Sequence, residues 1–291
     1  MTDSAPGRLA VSRATLDDWR VVTEWAADEG WNPGLADAPS FFAQDPEGFF
    51  VGRVDGEPVS AVSVVNYGDD YAFLGFYLVR PDVRGHGHGL ATWRAGLTHA
   101  TGRTVGLDGV PAQQDNYRRS GFAHAHGTRR YIGVLPAPDL PDLPDLPDRH
   151  VRPVEAAGLR ALTAYDGACV PADRPRFLRS WLAAPGHRAL ARVVDGTLTG
   201  YGVIRPGRDA LRVGPLFADT RADAEALLDA LAAEADGTPV AMDVPETNAA
   251  AVALAEARGM EPTFDTARMY TGPVREFARE RVFGVTTLEL G

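Results

Sequence analysis

The chain has 291 residues, of which 45% are hydrophobic and 23% charged, with a formal net charge of −10. This is a globular composition with room for two cores; it lacks the basic face that nucleic-acid binding needs and any apolar run of about 18 residues that would cross a bilayer. Cys169 is the single cysteine, so no internal disulfide can form; with a polar Met1–Gly7 that lacks an apolar leader core, a cytoplasmic location is expected, with no nucleic-acid or membrane partner.

In chain order, a strand over residues 8–13 and a helix from Leu16 come first. Phe49–Val54, Asp55-Gly56 and residues 58–65 read as a hairpin with an Asp-Gly turn. Tyr71–Val79 (YAFLGFYLV) is aromatic and branched enough for a buried strand. A glycine-rich stretch follows, Arg84-Gly85-His86-Gly87-His88-Gly89, and then a helix over residues 90–100 with Leu90, Trp93 and Leu97 on one face. Glycines between a strand and a helix let the backbone approach an anion, and the first helical N–H groups and the helix dipole point at it. The pattern is neither a P-loop, which ends in Gly-Lys-Ser/Thr, nor a G-x-G-x-x-G dinucleotide fingerprint.

Arg84-x-x-Gly87-x-Gly89 resembles the R/Q-x-x-G-x-G/A motif with which the GNAT superfamily cradles the pyrophosphate of acyl-CoA. Tyr117-Arg118-Arg119-Ser120-Gly121-Phe122 resembles that family's Y-x-x-x-G-F helix end, where the tyrosine sits near the thioester sulfur. The resemblance implies acetyl-CoA as acyl donor, held by Leu78, Val79, Arg84, Gly85, His86, Gly87, His88, Gly89, Leu90, Ala91, Asn116 and Arg119. It implies a small-molecule amine as acceptor and Tyr117 as the acid that protonates the leaving thiolate. A backbone N–H of residues 76–79 would meet the oxyanion. Asp108, ending a strand over residues 104–108, is the candidate base; the other reading of it is a turn or cap residue before Gly109. His86 and His88 stand at variable loop positions of the family, with no third ligand placed for a metal. Val110-Pro111-Ala112-Gln113 departs from the N-x-x-A that many members carry before the tyrosine. That departure leaves a CoA-binding sensor or scaffold open beside the enzyme, and a protein or peptide acetyltransferase is a further alternative.

Residues 136–148 (PAPDLPDLPDLPD) carry proline every third position and read as an extended linker. The features before it recur after it. Residues 151–154 form a strand, a helix starts at Glu155, and a second Asp-Gly hairpin stands at Asp195-Gly196, 140 residues after the first. Gly259-Met260 echoes Gly121-Phe122. Each half therefore reads β-α-(α)-β-β-β-α-β-α-β, a separable α+β unit: residues 1–135 as catalytic domain, 136–149 as linker and 150–291 as a second domain. The second half lacks the glycine loop and has Ala255 in place of the tyrosine. Gly214–Asp219 (GPLFAD) and Thr266–Tyr270 (TARMY) resemble tandem members of the superfamily with a degenerate, YitH/HolE-type second domain. That domain is expected to pack against the first or wall the acceptor pocket, with Arg268 and Tyr270 either facing the cleft or exposed on an edge strand. The expected state is a monomer or homodimer.

Overall fold

A computed structural model describes residues 8–135 and 148–291; the proline-rich reading of 136–147 lies outside the described residues. Strand β1 (Ala10–Arg13) leads into helix α1 (Leu16–Asp28). A reciprocal capping box fixes the start of α1: Thr15 Oγ accepts from the Asp18 N–H at 3.2 Å and Asp18 Oδ2 accepts from the Thr15 N–H at 2.9 Å. Helix α2 (Ala38–Gln44) precedes the hairpin β2 (Phe49–Val54) and β3 (Glu57–Tyr67), which turns at Asp55-Gly56 as the sequence predicts. Then come β4 (Tyr71–Val79), α3 (His88–His99), β5 (Thr104–Gly109), α4 (Gln114–Arg119) and β6 (Ala123–Gly133). The second half repeats the order as β7 (Val151–Pro153), α5 (Leu159–Cys169), α6 (Pro175–Leu182), β8 (Arg188–Val194), β9 (Thr197–Arg205), β10 (Leu211–Ala218), α7 (Arg221–Ala232), β11 (Val240–Pro245), α8 (Ala249–Ala257) and β12 (Glu261–Tyr270). A last short strand, β13 (Val282–Gly284), has no counterpart among the described residues of the first half. The helix expected from Glu155 begins at Leu159 instead, because Gly158 at φ +77° separates it from a single turn over Val154–Ala157.

The halves are not separable units. All the strands of the described residues join one 13-stranded sheet in the order β1-β2-β3-β4-β5-β12-β6-β11-β10-β9-β8-β7, with β13 beside β10. Under the repeat correspondence this order is a palindrome. Strand β12 of the second half lies between β5 and β6 of the first, and β6 lies between β11 and β12 of the second. The pseudo-twofold axis passes between Thr128 and Thr266, which face each other across the antiparallel pair although they are 138 residues apart. The boundaries 1–135 and 150–291 thus follow the repeat in sequence, while each half borrows a central strand from the other.

Two buried ion pairs at symmetric places hold this exchange. Arg268 of β12 grips Asp108 of β5 through Nε–Oδ1 and Nη2–Oδ2 contacts, both 2.8 Å. Arg130 of β6 grips Asp243 of β11 in the same manner, at 2.7 and 3.0 Å. Removing one partner of such a pair strands a charge in the interior and costs roughly 3–5 kcal/mol.

On one face of the sheet, α1, α2, α5 and α6 cover a core shared by both halves, including Trp19, Phe41, Phe76, Phe177 and Trp181. The equivalent helices α2 and α6 meet there: Phe41 stacks on Trp181 with centroids 6.2 Å apart, and Ser40 Oγ lies 3.0 Å from Ser180 Oγ. The other face carries two separate cores, one around Trp93 under α3 and one around Leu227 and Leu254 under α7 and α8.

Candidate active site

Strands β4 and β5 run parallel and pair only from Tyr71–Thr104 to Leu74–Leu107. Beyond that point β4 bulges: Phe76 takes φ +46°, and the register against β3 shifts opposite it. Gly75 and Phe76 then follow one another without the usual alternation, and the strands part into a wedge. A cavity of about 460 Å³ fills the wedge. Leu74, Leu107 and Tyr117 line it on the α3 side. Trp31, Phe76, Leu78 and Leu288 line it on the α1 side, so it passes through the sheet.

The glycine loop follows Arg84, which borders the cavity. Gly85 and Gly87 have φ of +84° and +82°, which side-chain-bearing residues rarely adopt. Gly87 is the N-cap of α3 and supplies no capping side chain, so the first N–H groups of the helix are left for an external acceptor. Gly85, His86, Leu90 and Ala91 are exposed, His88 is half-buried and Gly89 is buried. Leu90, expected beside Trp93 and Leu97, is 48% exposed; Gly89, Thr92, Trp93 and Gly96 form the buried face of α3 instead. The rings of His86 and His88 stack with centroids 6.0 Å apart. Arg84 donates from Nε to the Val79 carbonyl at 3.0 Å and pairs with Glu29 at the end of α1, and both residues of that ion pair border the cavity.

Tyr117 stacks on Trp93 with centroids 5.4 Å apart and 16° between planes, and it borders the cavity. Burial raises its pKa, with the neighbouring Tyr77 adding to the shift, so the phenol keeps its proton at neutral pH. Of the residues picked out by sequence, Leu78, Val79, Arg84, Asp108 and Tyr117 meet around the cavity. Asn116 and Arg119 lie on the exposed face of α4, where Asn116 receives Arg119 and donates to Gln113 Oε1 at 2.6 Å.

Asp108 does not stand free as a base. Both its oxygens are held by Arg268, and its side chain has 0% exposure. Burial raises its pKa against the pull of Arg268, and on the arginine side burial is outweighed by Asp108, which keeps the guanidinium charged. The symmetric Arg130–Asp243 pair shows that this is an architectural contact repeated in both halves. Arg268 and Tyr270 are buried in a central strand rather than exposed on an edge, with the Arg268 guanidinium 5.0 Å over the Phe73 ring.

The second half contributes Phe264, Thr266, Leu288 and Glu289 to the cavity wall, and Arg130 comes from β6. Sequence reading missed Arg130, Trp31 and Glu289. The Trp31–Asn32 turn is pinned by cations from the exchanged sheet: Arg130 Nη1 donates to the Trp31 carbonyl at 2.6 Å and Arg212 Nη1 to the Asn32 carbonyl at 2.8 Å. No local pattern announces contacts that span more than 90 residues of chain.

The equivalent wedge in the second half is closed. Strands β10 and β11 pair only from Leu211–Val240 to Val213–Met242, but β13 enters where they part. It pairs Leu216 with Gly284 and Phe217 with Val282, and the Val285 N–H donates to the Asp243 carbonyl at 2.9 Å. What remains there is a void of about 30 Å³.

Residues 14–127 match the family described as Acetyltransferase (GNAT) family, and residues 162–284 match a model described as Acetyltransferase (GNAT) domain. A protein called Holothin acyltransferase, from Pseudoalteromonas sp. (strain SANK 73390), is 36% identical over 284 residues, covering 96% of this chain and 93% of its own length. The chain belongs to the GNAT acyltransferase family. Its fold is shared with a putative acetyltransferase from Pyrococcus horikoshii at TM-score 0.80 and 22% identity, covering 97% of this chain and 96% of the other. A tandem GNAT protein from the clavulanic acid biosynthesis pathway superposes with TM-score 0.59 at 19% identity, covering 91% and 99%. In this tandem GNAT chain only the first half keeps an open wedge between its parallel strands. Among the described residues, no group of His, Cys, Asp and Glu is arranged to hold a metal ion, and no helix is long and apolar enough to cross a membrane.

Proposed function

We propose that this chain transfers an acetyl group from acetyl-CoA to the primary amine of a small molecule at the wedge between β4 and β5. The observation that carries this reading is the open cavity bordered by Val79 and Arg84, just ahead of the uncapped α3 N-terminus in the chain, and by Tyr117 in its wall. The residues fit acyl-CoA: the first N–H groups of α3 and the positive-φ glycines suit a pyrophosphate, and the unpaired inner edge of residues 75–79 suits an extended pantetheine arm. CoA supplies the activated thioester; the protein holds it, shields it from water and moves protons. Tyr117, protonated at neutral pH, delivers a proton to the departing sulfur.

A small acceptor is favoured because both halves line the inner chamber, Trp31 and Phe76 from the first and Phe264 and Leu288 from the second. The relative is named for acylating holothin. Calorimetry with acetyl-CoA tests the reading, together with thiol release in the presence of primary amines. One site per chain is expected in the wild type and none in Gly87→Glu, which puts a carboxylate and a strained backbone where the pyrophosphate would lie. Two sites per chain, or binding untouched by Gly87→Glu, would remove the β4–β5 wedge as the donor site.

A further inference from the structure

Resting on that reading, we infer that Glu289, supplied by the second half, is the carboxylate that receives the acceptor's ammonium group and takes up its proton. The segment Val285–Gly291 runs along the α1 side of the sheet and passes both wedges in turn. Its backbone presses on Gly214 of β10, where a Cβ would stand 2.5 Å from the Thr286 carbonyl oxygen. It then presses on Gly75 of β4, where a Cβ would stand 2.1 Å from the Glu289 carbonyl oxygen. Gly75 is the first residue of β4 beyond the last β4–β5 pair. Glu289 is therefore placed at the apex of the open wedge, on the face opposite Tyr117 and Trp93.

The placement is rigid. Arg174 donates to the Gly291 carbonyl at 2.9 Å and to Thr286 Oγ1 at 2.6 Å. Tyr67 of the first half donates to the Leu290 carbonyl at 2.9 Å, and Arg205 donates to the Thr286 carbonyl at 3.3 Å. The Glu289 side chain is 5% exposed and lines the cavity.

The carboxylates around the chamber differ in what satisfies them. Asp108 and Asp243 are each gripped by a guanidinium, and Glu29 pairs with Arg84 at the rim. No group among the described residues donates a hydrogen bond to the Glu289 carboxylate; its nearest cation is Arg212 Nη1, at 3.8 Å. Arg212 is itself engaged by Asp243 and by the Trp31 and Asn32 carbonyls. A buried carboxylate with its acceptor positions unfilled favours a cationic donor arriving from the cavity. The flanking walls of Trp31, Phe76, Phe264 and Leu288 favour an apolar or aromatic body behind that ammonium.

The step balances. The ammonium gives one proton to Glu289, and the freed nitrogen attacks the thioester carbonyl from the α1 side. The C–N bond forms, the C–S bond breaks and the nitrogen loses a second proton. Of these two protons one replaces the proton that Tyr117 delivers to the CoA sulfur, and the other goes to solvent.

The test compares Glu289→Gln and Glu289→Asp with wild type, using benzylamine, phenethylamine and tryptamine as acceptors and thiol release from acetyl-CoA as readout. Calorimetry with CoA and thermal melting accompany it. For Glu289→Gln we expect kcat/KM to fall about 10²- to 10⁴-fold, with CoA affinity and Tm held. Glu289→Asp keeps the charge facing Arg212 but shortens its reach; its kcat should fall at least about tenfold with CoA affinity held, and it decides the question if Glu289→Gln does not fold. Wild-type turnover in either variant overturns the inference and leaves the acetyltransferase reading standing. A parallel loss of CoA affinity and Tm makes Glu289 a counter-ion of Arg212 and overturns the inference too. Wild-type protein that binds acetyl-CoA but is silent toward every amine overturns the amine-acceptor reading and this inference with it.

Discussion

The two halves have the same order of elements and opposite fates at the same place. In the first, β4 and β5 part and leave a cavity of about 460 Å³. In the second, β10 and β11 part at the equivalent point, and β13 fills the opening down to about 30 Å³. The difference teaches that the topology alone does not make a site. A wedge between parallel strands is a pocket only while nothing in the chain pairs with its inner edges, because exposed backbone N–H and C=O groups are satisfied by whichever partner reaches them. The segment that closes the second wedge continues to the first and lines it without entering. The second half is therefore a closed copy of the first and also part of the first half's wall.

The sharpest way to break this comparison is through Tyr117, whose place in the second half is taken by Ala255. Tyr117→Phe should lower acetyl transfer by about a hundred- to ten-thousand-fold, the range for a lost acid catalyst, while acetyl-CoA affinity measured by calorimetry stays put. Unchanged turnover would remove the tyrosine from proton delivery and leave the open wedge as a binding site.

A second test uses the symmetric ion pairs. Asp108→Asn and Asp243→Asn should each destabilise the protein by roughly 3–5 kcal/mol in denaturant melts, since each leaves a buried arginine short of its counter-charge. A base at Asp108 would instead show in turnover, with stability spared, and would split the two aspartates that the architecture treats alike.

The smallest expected effect is acid sensitivity. Burial opposes ionisation of Asp243, yet Arg130 and Arg212 outweigh it and hold its pKa down to about 2. A depressed carboxylate stabilises the fold above its unfolded pKa near 4, and that contribution fades as pH falls through its folded pKa. It should amount to about 2 kcal/mol, lost between about pH 4 and pH 2. Melting temperatures across that window, compared between wild type and Asp243→Asn, check the sign: the variant should lose less stability on acidification.

The elements were legible because their signals are local. The Asp-Gly hairpins, the aromatic β4 and the glycine loop all carry their cause within a few residues, and β2 and β4 match their predicted bounds. Leu90 misled because glycines take the buried face of α3: a Cβ at Gly89 would stand 2.6 Å from Val79 Cγ2 and one at Gly96 2.7 Å from Val62 Cγ1, which sets Leu90 outward. Half of the candidate site was equally local: Arg84 and Tyr117 stand in motifs whose geometry follows from a strand, a turn and a helix.

The sequence by itself determined the duplicated order of elements, the glycine-led start of α3 and the loss of that loop from the second half, since each follows from short-range backbone preference and side-chain periodicity. Tertiary structure decided the strand exchange, the pairing of Asp108 with Arg268, the plugging of the second wedge and the delivery of Glu289 to the first. These depend on pairings such as Asp108 with Arg268, 160 residues apart. Their choice rests on which buried edge and which buried charge find each other when the whole sheet closes, and no window of sequence contains both partners.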